Sequence, residues 1–197
     1  TLIPRLGADS NPERIVRAVL PLARRLHAER PFDLVDAQFF FPDGPAAAAI
    51  ARELRLPLTI KSRGADVHYW GSRPRARAQI LPAAHQAARL LTVSEALGHD
   101  MVALGMPSDR IRVHYTGLDR NRFQPIGRAD ARVDIAARLG IPTDGALVVT
   151  TGALIARKGQ AFVVDALADL PGTRLALAGA GEDEAMLRDR AARLGVA

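Results

Sequence analysis

The stretch from residue 146 to residue 170 constrains the fold of this chain more than any other. Leu147 to Thr151 are apolar or β-branched, which is typical of a buried strand, and Gly152 ends that strand. Arg157-Lys158-Gly159 then precedes an amphipathic run, and the spacing of its apolar residues predicts a helix with Phe162 on the buried face. A strand, a glycine turn and a helix in this order indicate an α/β protein with a parallel sheet.

The same turn is a candidate anion site. Unpaired N–H groups and the positive end of a helix dipole converge where the chain enters a helix. Arg157 and Lys158 add two formal charges there. We predict that a diphosphate binds to Gly152, Arg157, Lys158 and Gly159; the alternative is an ordinary solvated basic pair at a helix start.

A second glycine turn, Gly179-Ala180-Gly181, follows the last predicted strand. It differs from a dinucleotide-binding motif because Glu184 occupies the third glycine position. Glu182 and Asp183 add negative charge where a pyrophosphate would lie. The P-loop and Gly-x-Ser-x-Gly motifs do not occur in the sequence, which argues against a P-loop nucleotidase and an α/β-hydrolase.

The first part of the chain alternates predicted helices with short predicted strands, which is the pattern of a parallel α/β sheet. Helices are predicted over residues 10–30, 45–54 and 94–104, and strands over residues 32–37, 57–61, 90–93 and 111–115. Periodicity is lost between residues 120 and 128, and we place a domain linker there.

The loop after the second of these strands gathers Arg63, Asp66 and His68 with Trp70, the only tryptophan. Ligands of open α/β sheets bind at the carboxyl ends of the strands. Small-molecule sites combine an apolar wall with a few convergent polar groups. The loop is therefore a second candidate site; the alternative is a surface loop with a structural glycine at Gly64.

Composition limits the function classes. The net charge of +6 lies entirely in residues 1–125, but the basic residues are scattered and no aromatic cluster accompanies them, which argues against nucleic-acid binding. The chain has no cysteine and no apolar run long enough to span a membrane. We expect a cytoplasmic protein whose basic half can contact an anionic membrane surface or substrate.

Six motifs in order along nearly the whole chain resemble the retaining glycosyltransferases of family 4. They are Asp36-Ala37-Gln38 with Pro42-Asp43-Gly44, Arg63-Gly64-Ala65-Asp66-Val67, Thr92-Val93-Ser94, Ile111-Arg112-Val113 leading into Gly117-Leu118-Asp119, Gly152-Ala153-Leu154 with Lys158-Gly159, and Ala178-Gly179-Ala180-Gly181.

The resemblance implies an α/β fold of the GT-B type, with two Rossmann-like parallel-sheet domains that are both incomplete in this chain. Residues 1–124 would form the acceptor-side domain and residues 125–197 the nucleotide-sugar-binding domain. The implied reaction is metal-independent, retaining transfer of a hexosyl group from a nucleoside diphosphate sugar to a hydroxyl acceptor, a lipid or a polysaccharide, with no cofactor.

The resemblance also implies roles for single residues. Asp66 and Arg63 would be catalytic, and His68 and Gly117 would lie on the acceptor side. The Arg157-Lys158 pair would offset the charge that grows on the departing diphosphate.

The sequence departs from the family pattern at three points. Ala153 stands where the family usually has an arginine, so Arg157 is a candidate replacement. A histidine common at the position of Arg63 is missing, and no two glutamates of the chain lie eight positions apart. We therefore expect an internal piece of a protein about twice as long, inactive by itself. A nucleotide-sugar epimerase of the same fold and a non-catalytic binding module are the alternative functions.

Overall fold

The computed structural model describes residues 5–197, with side chains from residue 7 onward. The first four residues of the predicted acceptor-side domain lie outside this range. The chain forms two compact units: unit 1 ends at Asp119 and unit 2 runs from Arg120 to Ala197. Within residues 5–197, no helix combines the length and the apolar character needed to cross a membrane.

Unit 1 is built on a four-stranded parallel sheet in the order β1-β2-β3-β4. The strands are β1 Val35–Ala37, β2 Leu58–Lys61, β3 Arg89–Thr92 and β4 Ile111–Val113. The α-helices are α1 Asn11–Glu29, α2 Asp43–Leu54, α3 Pro74–Gln86 and α4 Glu95–Leu104; Arg5–Ser10 and Ser108–Arg110 form 3₁₀ turns and Asp66–Trp70 one π-helical turn. This topology confirms the predicted α/β class.

The core of unit 1 combines β-branched or leucine residues on the central strands with alanine on the helices. Ile60 on β2 and Leu90 on β3 are fully buried. Ala51 on α2 and Ala84 on α3 are also fully buried. Small side chains let two helices approach closely, and the Gln86 side-chain amide donates a 2.7 Å hydrogen bond to a carbonyl oxygen of α2. Because the four strands are parallel, their carboxyl ends lie at one edge of the sheet.

Unit 2 contains a two-stranded parallel sheet with three α-helices. Its elements are α5 Arg128–Leu139, β5 Ala146–Thr151, a 3₁₀ turn Ala156–Lys158, α6 Gln160–Leu167, β6 Thr173–Ala178 and α7 Glu184–Arg193. Leu154, Val164 and Leu187 form the buried centre of this unit. The predicted strand, glycine turn and helix are all present.

The predicted buried face of α6 is wrong at Phe162, which is 77% exposed. Gly159 adopts a left-handed φ of 72°, and α6 begins only at Gln160. The inward stripe therefore runs through Gln160 and Val164, four residues apart, which are 5% and 2% exposed. The run from Phe162 to Val164 is apolar throughout, so its composition does not define the phase of a short helix.

Arg190 on α7 joins Asp165 on α6 through a two-pronged ion pair. The guanidinium Nε contacts Oδ1, and Nη2 donates to Oδ2 at 2.7 Å. Hydrogen bonding and charge attraction from Arg190 hold the pKa of Asp165 below its usual value, and the same pair raises the pKa of Arg190. The pair adds a polar link between two helices that also share the buried Val164 and Leu187.

We predict that Asp165→Asn destabilises unit 2 at neutral pH. The folded-state pKa of Asp165 is lowered, so the pair contributes stability above the unfolded-state pKa and loses it as pH falls through the folded-state value. Urea unfolding, followed through amide NMR signals of α6 and α7, should show the variant weaker at pH 7. The difference should shrink below pH about 4.

Asp169→Asn is the matched control, because Asp169 is an exposed residue just beyond α6. Equal destabilisation by both substitutions, or a difference independent of pH, would contradict the assigned role of the pair.

Candidate functional site

The carboxyl edge of the unit 1 sheet is organised by a single buried side chain. Asp66 is fully buried at the start of the π-helical turn. Its Oδ1 accepts hydrogen bonds from the Ser62 hydroxyl at 2.9 Å and from the backbone N–H groups of Arg63 at 3.0 Å and Gly64 at 2.9 Å. Its Oδ2 accepts from the Phe40 N–H at 3.0 Å.

These contacts give Asp66 a defined physical role. One carboxylate joins the segment after β1, which carries Phe40, to the loop after β2. Four donors occupy both of its oxygens, so the carboxylate faces the protein interior. The geometry favours a positioning role for Asp66 over direct contact with a substrate, and the predicted catalytic role would act through the loop that it holds.

Arg63 lies on the outer side of that loop and is exposed. Its Nη2 donates to the Gln38 side-chain oxygen at 2.7 Å, and its Nε donates to the Gln38 carbonyl at 3.2 Å. The Gln38 amide and the Thr59 hydroxyl in turn contact the Asp36 carboxylate. The guanidinium of Arg63 is thus oriented by neutral groups, and its charge remains available at the edge of the sheet.

His68 has a different environment. It lies in the π-helical turn Asp66–Trp70, whereas the sequence predicts only a loop there. Its Nε2 is 2.9 Å from Oδ2 of Asp100 on α4, and both side chains are exposed. The Trp70 ring packs at 4.7 Å from the ring of Phe41 and so anchors the turn on the core. The acceptor-side role of His68 stays a prediction.

Gly117 lies in the irregular, exposed segment after β4. A Cβ added at this glycine would have no atom within 4 Å. Space at this position is open, and its acceptor-side role also stays a prediction.

The charge at this edge also affects the pKa of Asp43, the first residue of α2. Burial raises the pKa of the Asp43 carboxyl, and the nearby Asp66 carboxylate raises it further. Burial and the Asp66 carboxylate therefore both disfavour the charged form of Asp43.

The diphosphate site in unit 2 stays a prediction, and its residues lie in the turn between β5 and α6. Gly152 has a φ of 137° and Gly159 a φ of 72°, conformations that side chains with a Cβ rarely adopt. Arg157 and Lys158 lie on the 3₁₀ turn between them, and both are exposed. Within the described part of the chain, neither has an acidic partner within 4.0 Å.

The second glycine turn needs glycine for a structural reason that the sequence does not reveal. A Cβ on Gly179 would lie 1.9 Å from the carbonyl oxygen of Gly152, and one on Gly181 would lie 2.2 Å from that of Leu154. The two turns run side by side, with Gly152 N–H donating to Ala178 at 3.0 Å. Gly179 and Gly181 therefore allow two backbones to touch at the carboxyl ends of β5 and β6.

Gln160 is a further residue that sequence reasoning missed. It is only 5% exposed, and its side-chain amide donates a 3.0 Å hydrogen bond to the carbonyl of Ala153. This contact fixes the first residue of α6 to the turn after β5. A polar residue directly after a left-handed glycine was the available signal.

A cavity of about 970 Å³ also lies in unit 2, lined mainly by apolar residues of its helices, its strands and the loops beside them. Arg157 and Lys158 do not line it. Among residues 5–197, no cluster of three or more histidine, aspartate or glutamate side chains is arranged to hold a metal ion.

The sequence profile of Glycosyltransferase Family 4 matches residues 3–122. TuaC of Bacillus subtilis (strain 168), which carries the provisional name of a teichuronic acid biosynthesis glycosyltransferase, is 29% identical over 140 residues. That match covers 70% of this chain and 35% of TuaC. The chain thus spans about a third of the length of this curated relative.

Solved structures share the fold. Anabaena Alr3699/HepE in complex with UDP and glucose superposes with a TM-score of 0.77 at 20% identity, covering 98% of this chain and 52% of that one. Sucrose-phosphate synthase from Thermosynechococcus elongatus gives a TM-score of 0.70 at 18% identity, covering all of this chain and 50% of that one. The parallel-sheet architecture therefore matches GT-B structures at about half their length.

We predict that Asp66→Asn destabilises unit 1 by about 1–3 kcal/mol, the cost of leaving a buried donor unsatisfied. The amide that replaces one oxygen cannot accept, so at least one backbone N–H in the loops that Asp66 joins loses its partner. Urea unfolding monitored by Trp70 fluorescence measures the change.

Asp33→Asn is the control, since Asp33 is an exposed residue in the bend before β1. An Asp66→Asn variant as stable as this control would refute the positioning role.

Proposed function

Because the chain belongs to Glycosyltransferase Family 4, we propose that the protein transfers a hexosyl group from a nucleoside diphosphate sugar to a hydroxyl acceptor. The observation that carries this proposal is the family match over residues 3–122. The fold shared with Anabaena Alr3699/HepE, which was solved with UDP and with UDP-glucose, supports a UDP-sugar as the donor.

The donor diphosphate would bind at the turn after β5. Gly152 and Gly159 shape the backbone there, and Arg157 and Lys158 supply two charges without acidic partners in the described chain. During transfer, negative charge accumulates on the departing diphosphate. Cations fixed beside it stabilise that charge more in the transition state than in the ground state.

We infer a metal-independent reaction from this arrangement, because the two side chains supply the charge that a divalent cation would otherwise provide. No cofactor is proposed beyond the nucleotide-sugar itself. Retention of the anomeric configuration is proposed from the resemblance of the six sequence motifs to retaining enzymes.

The acceptor would bind to unit 1. Arg63, oriented by Gln38 at the carboxyl edge, is the side chain best placed to contact it. The name of TuaC supports a polysaccharide acceptor, and the positive charge of residues 1–125 supports an anionic one, including a lipid-linked glycan at a membrane surface. We propose a cytoplasmic enzyme in peripheral contact with the membrane.

We predict that Lys158→Ala weakens binding of UDP by about tenfold to a hundredfold, because the diphosphate loses a charge-assisted hydrogen bond. Isothermal titration calorimetry with UDP measures the effect. Arg193→Ala, which removes an exposed cation from the last turn of α7, should leave the affinity unchanged. Equal affinities of the Lys158 variant and wild type would remove Lys158 from the donor site.

A second prediction separates the proposed transferase from an epimerase and from a binding module. The full-length protein, supplied with a UDP-sugar and an acceptor glycan, should release UDP and extend the acceptor, and the anomeric proton coupling of the product should match that of the donor. Interconversion of the sugar without consumption of acceptor would indicate an epimerase. Binding to anionic vesicles with no turnover would indicate a binding module.

A further inference from the structure

Lys61 is a buried cation that the proposed reaction does not use. It is the last residue of β2 and is only 6% exposed. Its Nζ lies 2.8 Å from Nδ1 of His114, directly after β4. Within residues 5–197, no carboxylate lies within the 4.0 Å of an ion pair from this ammonium.

A buried lysine lowers the stability of the fold unless its ammonium group interacts with a partner. A buried ammonium needs a counter-charge or several hydrogen bonds to replace its hydration, and it carries three donors. Here the imidazole accepts only one of them. The chain uses 25 arginines but only two lysines, and the other is Lys158 at the proposed donor turn. The two remaining donors of Lys61 favour a ligand that brings negative charge.

The contact also fixes the state of His114. An ammonium has no lone pair, so Nδ1 of the imidazole must accept and its ring hydrogen lies on Nε2. The His114 backbone N–H donates to Thr92 at 2.7 Å, which anchors the residue to the end of β3. His114 is otherwise exposed. It therefore presents a single N–H donor at the edge of the sheet beside a buried positive charge.

Strand order places this pair at the carboxyl edge. β2 and β4 flank β3, so Lys61 and His114 meet across the end of β3, where ligands of open α/β sheets bind. Arg63 follows Lys61 by two residues, and its guanidinium is likewise held by a neutral partner, Gln38. Within the described chain, two cations, one at the end of β2 and one in the loop after it, thus lack a carboxylate in contact.

We propose that Lys61 and His114 form an oxyanion-binding site at the carboxyl edge of unit 1. The site takes a phosphate or a carboxylate group, with Lys61 supplying charge and His114 a directed hydrogen bond. The assignment of this oxyanion to the acceptor rests on the proposed function; the site itself does not. Its two sources, a phosphorylated lipid carrier and an acidic sugar, share the same recognition chemistry.

The test uses the two lysines and five histidines of the chain as reporters. Protein labelled with ¹³C-lysine and ¹⁵N-histidine is titrated with methyl phosphate, with glucuronate and with neutral glucose. We expect ring ¹⁵N shifts of His114 that identify the Nε2–H form before any ligand is added. At least one anion should then shift the Lys61 and His114 signals to saturation, and the one that does identifies the source.

Lys61→Met keeps the length of the side chain and removes its charge. We expect it to weaken binding of the anion by about tenfold to a hundredfold. Arg89→Gln, which removes an exposed charge at the opposite end of the sheet, is the matched control and should bind like wild type. His114→Gln changes an exposed residue, so its effect on binding of the anion can be measured without a change in the buried core.

The proposal is overturned if the ring hydrogen of His114 lies on Nδ1. It is also overturned if neither anion saturates the Lys61 signal, or if Lys61→Met and Arg89→Gln lose affinity equally. Titration with UDP is read separately through the Lys158 signal. A response of Lys158 to UDP, together with no response of Lys61 to either anion, would overturn this inference and leave the donor site standing. A response of Lys61 to an anion without a response of Lys158 to UDP would do the opposite.

Discussion

The buried carboxylate of Asp66 is the contact on which the carboxyl edge of unit 1 depends. Loops after parallel strands have no ladder to hold them, so their backbone N–H groups need other acceptors. Asp66 supplies two oxygens to donors in two such loops, including the N–H of Phe40 and that of Gly64. The position of Arg63, which sits within the second loop, follows from this contact.

In unit 2, the backbone N–H groups of the loops after the strands find acceptors without a charged side chain. Its two glycine turns lie against each other, and their backbones continue the pairing of the strands that precede them, as the 3.0 Å bond from Leu154 N–H to Ala180 shows. Gln160 adds one buried amide that ties the turn to α6. Backbone contact at this distance excludes a Cβ, so glycine is required at Gly179 and Gly181 by shape alone.

The sequence predicted the elements whose signals are local. Apolar, β-branched runs marked the strands, and a serine cap followed by a glutamate marked α4, where the Ser94 hydroxyl accepts from Leu97 N–H. The same reasoning left α3 unassigned, because Pro74 and Pro82 lie within it and its alanines carry little periodic signal. The π-helical turn was missed as well, since its bonds depend on Asp66 and on Trp70 packing against Phe41.

The sequence predicted where the candidate site residues lie better than it predicted what each residue does. That Arg63 and Asp66 share one loop followed from the sequence, whereas the inward orientation of Asp66 required the N–H groups that surround it. Lys61 was not singled out at all, because a lysine at the end of an apolar strand gives no sign of burial. Its contact with His114 joins residues 53 positions apart, a separation that no local pattern records.

The charge environment of Lys61 supports a functional role. Several arginines of the described chain pair with carboxylates, among them Arg24 with Glu53 at 2.5 Å and Arg190 with Asp165. Exposed pairs of this kind contribute little stability. Among the described residues, the only partner of the Lys61 ammonium is the neutral imidazole of His114, so the charge of this buried lysine has no counter-charge there. A buried ammonium in this setting costs stability by itself, and binding of the proposed anion would offset that cost, which is the behaviour expected of a binding residue.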